Sequence, residues 1–377
     1  MISRFSYGPR VIAGRGATAE LPALLPPGPL LFVTDVGVRA AGLTDAPLVA
    51  LGRDREIVVF NRVEADPSLA TLLAAVDAGR DCAAVVGFGG GSPMDVAKLA
   101  AYLIGSGEDI DAVWGVGNAR GAGLPLVLVP TTAGTGSEAT PVSVITLPDG
   151  EKRGVSSPAL VAGHALLDAE LTLGLPRHVT AATGIDAMVH AIEATTSRHA
   201  KNPLSDMLAR EALRLLAANL LAACNQPRDL AAREAMLLGS HLAGVAFANA
   251  PVAGVHALAY PLGGRFHLPH GLTNALMLGP VLAHNMDAAL ADYAALGPMV
   301  DPALEPLGNQ GRARGLIEAM AGLSAASGLP QRLREVGVER AHLPMLAAEA
   351  MKHERLLVNN PCPITGADAL RLYEAAW

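Results

Sequence analysis

Val85-Val-Gly-Phe-Gly89-Gly90-Gly91-Ser92-Pro93-Met-Asp95-Val-Ala-Lys98 is the stretch whose reading decides the fold. An apolar run enters three successive glycines, and a serine and a proline then open an Ala/Leu-rich segment. This reads as a buried strand passing through a tight turn into a helix, with Pro93 at the first helical position. Glycines let backbone N–H groups approach a pyrophosphate, and the helix N-terminus adds the positive end of its dipole. A strand–helix turn with no ligand is the plain alternative. The spacing is not GxGxxG, so the usual dinucleotide fingerprint is absent.

Outward from this turn, short β-rich runs alternate with helical ones. LLFVTD (residues 30–35), EIVVF (56–60) and AAVVGF (83–88) read as buried strands, as do LPLVLV (124–129) and VSVIT (142–146). Helical stretches at residues 68–79 and 95–103 lie between them. Continuous apolar strands alternating with helices indicate a mostly parallel, doubly wound α/β sheet. After Leu175-Pro176 long Ala/Leu/Met/Glu stretches take over, at residues 204–224, 230–248 and 315–327, and few β-branched runs remain. The expectation is therefore an α/β domain over residues 1–175 and an all-α domain over 176–377, with a loop at residues 301–311.

Composition bounds the function. A chain of 377 residues is too long for one ordinary core, and 51% hydrophobic against 17% charged residues supplies a large interior. The 28 basic residues are outnumbered by 35 acidic ones and form no basic run, which argues against nucleic acid as a partner. Cys82, Cys224 and Cys362 show no paired spacing, which suits a reducing compartment and argues against a thiolate zinc site. The start Met1-Ile-Ser-Arg-Phe-Ser-Tyr-Gly8 lacks a signal pattern, so a cytoplasmic protein is expected. Residues 236–264 carry no Asp, Glu, Lys or Arg and could span a bilayer by length. They include His241, Asn249, Pro251 and His256, so two buried helices joined at a proline turn are expected, and no membrane.

Several groups carry chemistry. Asp35 ends a strand, where its carboxylate can accept from an adenosine ribose and repel a 2′-phosphate, favouring NAD over NADP. A helix N-cap is the alternative. Pro130-Thr131-Thr132-Ala-Gly-Thr135-Gly-Ser-Glu-Ala-Thr140 follows a buried strand with hydroxyls suited to a polar ligand. Lys152 could face a phosphate or a substrate oxygen, although most lysines are solvated. In Thr183-Gly-Ile-Asp186-Ala-Met-Val-His190-Ala-Ile-Glu-Ala194, Asp186 and His190 stand at i and i+4 on one helix face. Such a pair can be a surface ion pair, but the apolar residues between suggest burial, and a buried carboxylate needs a partner. Gly254-Val-His256-Ala-Leu-Ala-Tyr260-Pro-Leu-Gly-Gly-Arg-Phe-His267-Leu-Pro-His270-Gly-Leu-Thr-Asn274 sets three histidines and a tyrosine in an apolar span. Singly, each histidine suits a core position; together with Asp186 and His190, His256 and His270 complete a set of three imidazoles and one carboxylate. His256 would stand on a helix and His270 in the turn after it. That donor set suits Fe²⁺ or Zn²⁺ better than Mg²⁺ or Ca²⁺.

These blocks, in this order, resemble the iron-containing (metal-dependent) alcohol dehydrogenase family. Thr34-Asp35, GGGSPMDVAK from Gly89, PTTAGTGSEAT from Pro130, TGIDAMVHAIEA from Thr183 and HALAYPLGGRFHLPHG from His256 carry the resemblance. It implies a dehydroquinate synthase-like architecture: an N-terminal dinucleotide-binding domain, a helical domain, and an active site in the cleft between them. The metal ligands implied are Asp186, His190, His256 and His270. The pyrophosphate would lie on Gly89, Gly90, Gly91 and Ser92, and Asp35 would meet the ribose. Thr131, Thr132, Thr135, Thr140 and Lys152 would line the rest of the cofactor site, and a homodimer through an N-terminal edge strand is implied. The reaction implied is hydride transfer between NAD and a small alcohol or carbonyl substrate, whose oxygen a metal polarises.

The chain departs from the family in places. Many members carry a histidine where Tyr260 stands, so a proton relay there would pass through a phenol or move to His267, with Lys152 a further candidate. Asn359-Asn-Pro-Cys362-Pro-Ile-Thr365 resembles the NPRP segment of the maleylacetate reductase branch, with Cys362 in place of arginine. That branch generally lacks the four-ligand set which this chain keeps. The rival readings are therefore a maleylacetate reductase-like keto-acid reductase and a dehydroquinate synthase-like lyase. The lyase needs a Lys/Arg/His cluster for a phosphorylated substrate, of which only Arg265 and Lys152 are visible. A non-catalytic nucleotide-binding module would have no use for four convergent ligands.

Overall fold

The computed structural model describes residues 5–377. Met1–Arg4, part of the start read as lacking a signal pattern, lie outside the described residues. The strands are β1 (Arg10–Ala13), β2 (Leu30–Val33), β3 (Ile57–Phe60), β4 (Ala84–Gly89), β5 (Gly115–Val116), β6 (Leu126–Pro130), β7 (Val142–Thr146), β8 (Lys152–Ser156) and β9 (His164–Leu167). Six of them form a sheet in the order β1-β9-β6-β4-β2-β3, and every neighbouring pair is parallel.

Each central strand feeds two cores. Leu30, Phe32, Ala84, Val86 and Phe88 pack on one face, and Leu31, Val33, Val85, Leu126 and Leu128 on the other. Side chains alternate across a strand, so burial on both faces demands the continuous apolar runs seen in the sequence. Helices α1 (Val36–Ala40), α2 (Asp45–Leu51), α3 (Leu69–Ala78), α4 (Gly91–Ser106) and α5 (Ile110–Val113) belong to this unit.

Two expectations are corrected. Val142–Thr146 does not join the parallel sheet. As β7 it pairs antiparallel with β8 in a separate sheet of order β5-β8-β7. Pro148-Asp149-Gly150 makes a tight turn between them, and a tight turn can only return the chain antiparallel; a parallel partner needs a long crossover. Its half-exposed alternation also differs from the fully buried β2, β4 and β6. Pro93 is not the first residue of α4 but the third, after Gly91 and Ser92. The first-turn N–H groups have no partner inside the helix, so proline is tolerated throughout that turn.

The remainder is helical. α6 (Arg177–Thr196), α7 (Pro203–Asn225), α8 (Leu230–Asn249), α9 (Gly254–Phe266) and α10 (His270–Asn285) carry the histidine-rich stretches. α6 is buried on all sides from Gly184 to Thr196, which its alanines permit. As expected, residues 236–264 form parts of two helices, α8 and α9, bent by 106° at the Pro251 break. Among the described residues no single helix is long and apolar enough to cross a membrane. Residues 301–311 are less irregular than expected, holding a 3-10 turn at Pro302–Leu304 and the start of a helix at Asn309. The chain divides into two compact units, Tyr7–Gly174 and Leu175–Trp377. Ser6 belongs with the second, where its N–H donates to Asn249 Oδ1 at 2.7 Å.

Candidate metal centre and nucleotide turn

Three helices of the second unit converge on one point. α6 presents Asp186 and His190 one turn apart, α9 presents His256, and α10 opens with His270. His270 therefore does not sit in the turn, as expected from sequence, but on the first residue of the next helix. Each residue offers one donor atom, and the four atoms lie within 4.8 Å of one another. The Nε2 atoms of His190, His256 and His270 stand 4.0, 3.9 and 3.7 Å from Asp186 Oδ1. Ligands at about 2.1 Å on a tetrahedral ion are spaced by roughly 3.4 Å. The donor set thus suits a single Fe²⁺ or Zn²⁺ once the more widely spaced donors draw together by about an ångström.

The electrostatics agree with the geometry. Burial by itself pushes the Asp186 carboxyl up, but the charges of His190, His270 and His256 and a hydrogen bond from Asn274 outweigh it, so the net shift is downward. The carboxyl is itself 1% exposed. His190 stacks on Phe247 of α8 with centroids 4.3 Å apart.

Two residues of the site were not singled out from the sequence. Glu193, on α6, accepts from the backbone N–H groups of Ala253 (2.9 Å) and Val255 (2.7 Å) and lies 2.6 Å from His256 Nδ1. A carboxylate can only accept here, so Nδ1 carries a proton, and in the neutral ring that a metal needs Nε2 keeps its lone pair. Glu193 also places negative charge at the N-terminus of α9. The signal was available: Glu193 is i+7 from Asp186 and i+3 from His190, on the same helix face. Asn274, on α10, donates from Nδ2 to Asp186 Oδ1 at 2.6 Å. Gly271 allows α10 to approach α6, because a Cβ there would sit 2.3 Å from the Ala182 carbonyl oxygen. Gly271→Ala is expected to cost about 1–3 kcal/mol by overpacking and to weaken metal binding by displacing His270. Thermal melting and metal titration of the variant check both.

The remaining candidates in this unit separate from the four donors. Tyr260 packs between His270 (centroids 5.9 Å) and His353 (5.1 Å, edge-on), the latter a neighbour that no sequence spacing announces. His267 caps the end of α9 in the left-handed conformation (φ 53°) and is exposed, outside the four-donor cluster. The Asn359–Thr365 segment has a structural task. Asn360 Oδ1 accepts from Gly254 N (3.3 Å) and Asn285 Nδ2 (3.0 Å), while Asn359 Nδ2 donates to Val252 O (3.1 Å). It thereby holds the chain break before α9, and Cys362 contributes a contact to Asn285 Oδ1 at 3.2 Å.

In the first unit the glycine turn lies where the sheet reverses its winding. β2 pairs with β4, yet the chain passes from β2 outward to β3 and from β4 outward the other way to β6. The loops after β2 and β4 diverge there, and such switch points are where open α/β sheets bind ligands. Asp35 follows β2, and Gly89, Gly90, Gly91 and Ser92 end β4 and open α4. A cavity of about 490 Å³ at this place is lined by Asp35, Arg62, Gly90, Gly91 and Ser92, among others. Gly89 has φ 152°, and a Cβ on it would meet Pro93 Cγ at 2.8 Å, so glycine is required. The N-cap alternative for Asp35 is seen, its Oδ1 capping α1 by accepting from Val38 N at 2.8 Å, and the residue also lines the cavity.

The hydroxyl-rich loop folds against the same turn. Thr131 N donates to Gly89 O (2.9 Å), and the Thr132 and Thr135 side chains approach Gly90 and Gly91. Asp95 and Lys98 tie the loop to α4: Asp95 Oδ1 accepts from Ser137 Oγ at 2.6 Å, and the buried Lys98 Nζ reaches Asp95 Oδ1 and Ser137 O, each at 3.0 Å. Thr140 and Lys152 make contacts within the protein. The Thr140 hydroxyl turns inward to Ser137 O (3.3 Å), and Lys152 Nζ pairs with Asp66 Oδ1 at 2.7 Å. Like Gly89, Thr131, Thr132 and Thr135, they lie outside the lining of this cavity.

Comparison with known proteins follows this geometry. The family model for iron-containing alcohol dehydrogenase matches residues 8–169, and that for the C-terminal part of the Fe-containing alcohol dehydrogenase family matches residues 180–377. The chain belongs to the iron-containing alcohol dehydrogenase family. It is an oxidoreductase acting on CH–OH groups. It is 38% identical to Long-chain-alcohol dehydrogenase 1 of Geobacillus thermodenitrificans, covering 100% of this chain and 97% of that one. Among solved structures, a 1,3-propanediol oxidoreductase superposes with a TM-score of 0.95 at 33% identity, covering 99% of this chain and 100% of the other. A sulfoacetaldehyde reductase of Bifidobacterium kashiwanohense, solved in complex with NAD⁺, gives 0.88 at 27% identity, covering 100% and 99%. These iron-containing dehydrogenase relatives support neither the maleylacetate reductase-like reading nor the lyase.

Proposed function

We propose that this family member is an NAD-dependent, metal-dependent alcohol dehydrogenase that interconverts a small alcohol and its aldehyde or ketone. The four-donor cluster of Asp186, His190, His256 and His270 carries the reading. These residues would hold one Fe²⁺ or Zn²⁺. Bound there, the ion supplies Lewis-acid polarisation of the substrate C–O group. Gly89, Gly90, Gly91 and Ser92 receive the pyrophosphate on backbone N–H groups at the N-terminus of α4. Asp35 accepts from the adenosine ribose and disfavours a 2′-phosphate, and the NAD⁺-bound sulfoacetaldehyde reductase supports NAD as the cofactor. Thr131, Thr132 and Thr135 line the rest of the turn. Residues 1–175 thus supply dinucleotide binding and residues 176–377 the metal and substrate.

Tyr260, beside His270, holds a proton close to the substrate oxygen in this reading, and the exposed His267 exchanges it with solvent. Lys152, paired with Asp66, serves the hairpin rather than the chemistry. A homodimer in the cytoplasm completes the proposal. The outer side of β1, which has no partner strand among the described residues, and three cysteines outside any disulfide support it.

The test is NADH consumption with a panel of aldehydes and ketones before and after chelation. Chelated protein is expected to lose turnover and regain it on addition of Fe²⁺ without air or of Zn²⁺; the ion that restores it names the metal. Full turnover by protein shown to hold no metal would overturn the proposal. NADH is expected to outperform NADPH, and equal rates would remove the role given to Asp35.

A further inference from the structure

Asn274 meets the donor cluster from within the protein. It is 0% exposed and stands four residues after His270 on α10, so both side chains leave the same helix face. Its Nδ2 donates to Asp186 Oδ1 at 2.6 Å and lies 3.2 Å from both His256 Nε2 and His270 Nε2. The orientation of the amide follows from its neighbours. Glu193 holds the proton of His256 on Nδ1, so Nε2 offers a lone pair, and Asp186 offers another. An oxygen turned toward those lone pairs would be repelled, whereas an NH₂ group is accepted. The Asn274 Oδ1 is buried and has no hydrogen-bond partner among the described residues, so the side chain is held by its nitrogen alone.

We infer that Asn274 is a positioning residue of the metal centre, which orients the Asp186 carboxylate and closes the inner side of the four-donor cluster. The inference rests on the metal reading above. A neutral amide is the group this place requires. Leucine would fill the volume but leave a buried carboxylate oxygen without its donor, and lysine would repel a cation. Aspartate would set a second negative charge beside Asp186. A carboxylate oxygen has lone pairs for both an amide proton and an ion, so the Asn274 bond can persist when the cluster is loaded. With the Asn274 side closed, the way in is beside His270, whose side chain is 33% exposed against 2–5% for the other three. A substrate oxygen therefore arrives next to His270 and Tyr260.

The test uses the full chain loaded with Co²⁺, whose absorption reports coordination geometry and whose affinity is read by competition with a chromophoric chelator. Asn274→Leu keeps the volume and removes the donor; Asn274→Ser is smaller, retains a hydroxyl, and guards against failure of the leucine variant to fold. Melting of each chelator-treated protein confirms the fold. Both variants are expected to bind Co²⁺ about 10- to 100-fold more weakly with a shifted visible spectrum, serine less affected than leucine. Folded variants with wild-type affinity and spectrum would overturn the inference and leave Asn274 as packing alone. If the wild-type protein itself binds Co²⁺ no better than Asp186→Asn, the metal reading fails instead.

Discussion

Asp186→Asn is expected to abolish metal retention and to lower turnover about 1,000-fold or more. Asp186 is the one anionic donor among three imidazoles, and it is buried where no solvent charge replaces it. Asparagine keeps the shape and one oxygen, so the change removes charge and little else. Losing Lewis-acid stabilisation worth several kcal/mol corresponds to roughly three powers of ten in rate, at about 1.4 kcal/mol for each. Some stability should be lost as well, because the histidines and Asn274 that hold the Asp186 carboxyl low lose their anionic partner. The chelated variant is therefore expected to melt somewhat below the chelated wild type. Metal content by elemental analysis and turnover of the same preparation decide the matter. A variant that keeps its metal and its rate would remove Asp186 from the centre.

Glu193→Ala is expected to reduce stability and metal affinity together. Its carboxylate satisfies two backbone N–H groups at the start of α9 and the Nδ1 proton of His256, all buried. Each orphaned donor costs about 1–3 kcal/mol; a combined loss of about 3–5 kcal/mol lowers the melting temperature by roughly 10 °C at about 2–4 °C per kcal/mol. With His256 no longer held in one tautomer, metal affinity falls about 10- to 100-fold. Glu193→Gln keeps one carbonyl acceptor and should fall between wild type and alanine on both measures. Wild-type metal affinity in Glu193→Ala would show that Glu193 serves the helix end only.

Much of the site was legible because it is built from local repeats. Asp186 and His190 share a face by helix geometry alone, and the strand–glycine–helix turn announces itself by residue type. Glu193 was equally legible by spacing, but a carboxylate in an apolar helix does not say what it holds. Asn274 and His353 could not be read at all. Asparagine carries no chemical signature, and His353 reaches Tyr260 only through the packing of the C-terminal segment. The contacts of Thr140 with Ser137 and of Lys152 with Asp66 were likewise not announced by any spacing.

The sequence by itself determined the two kinds of architecture and the glycine turn, and it singled out the four residues whose donor atoms cluster. All of these follow from periodicity and residue chemistry within single segments. Tertiary structure alone decided which donor oxygens and nitrogens face one another, since Asp186, His256 and His270 come from three helices whose approach depends on small residues such as Gly271. It likewise decided that Val142–Thr146 leaves the parallel sheet and that Asp35 and Gly90 share one cavity. Strand order and helix approach are set by contacts between residues far apart in the chain, and no local pattern encodes them.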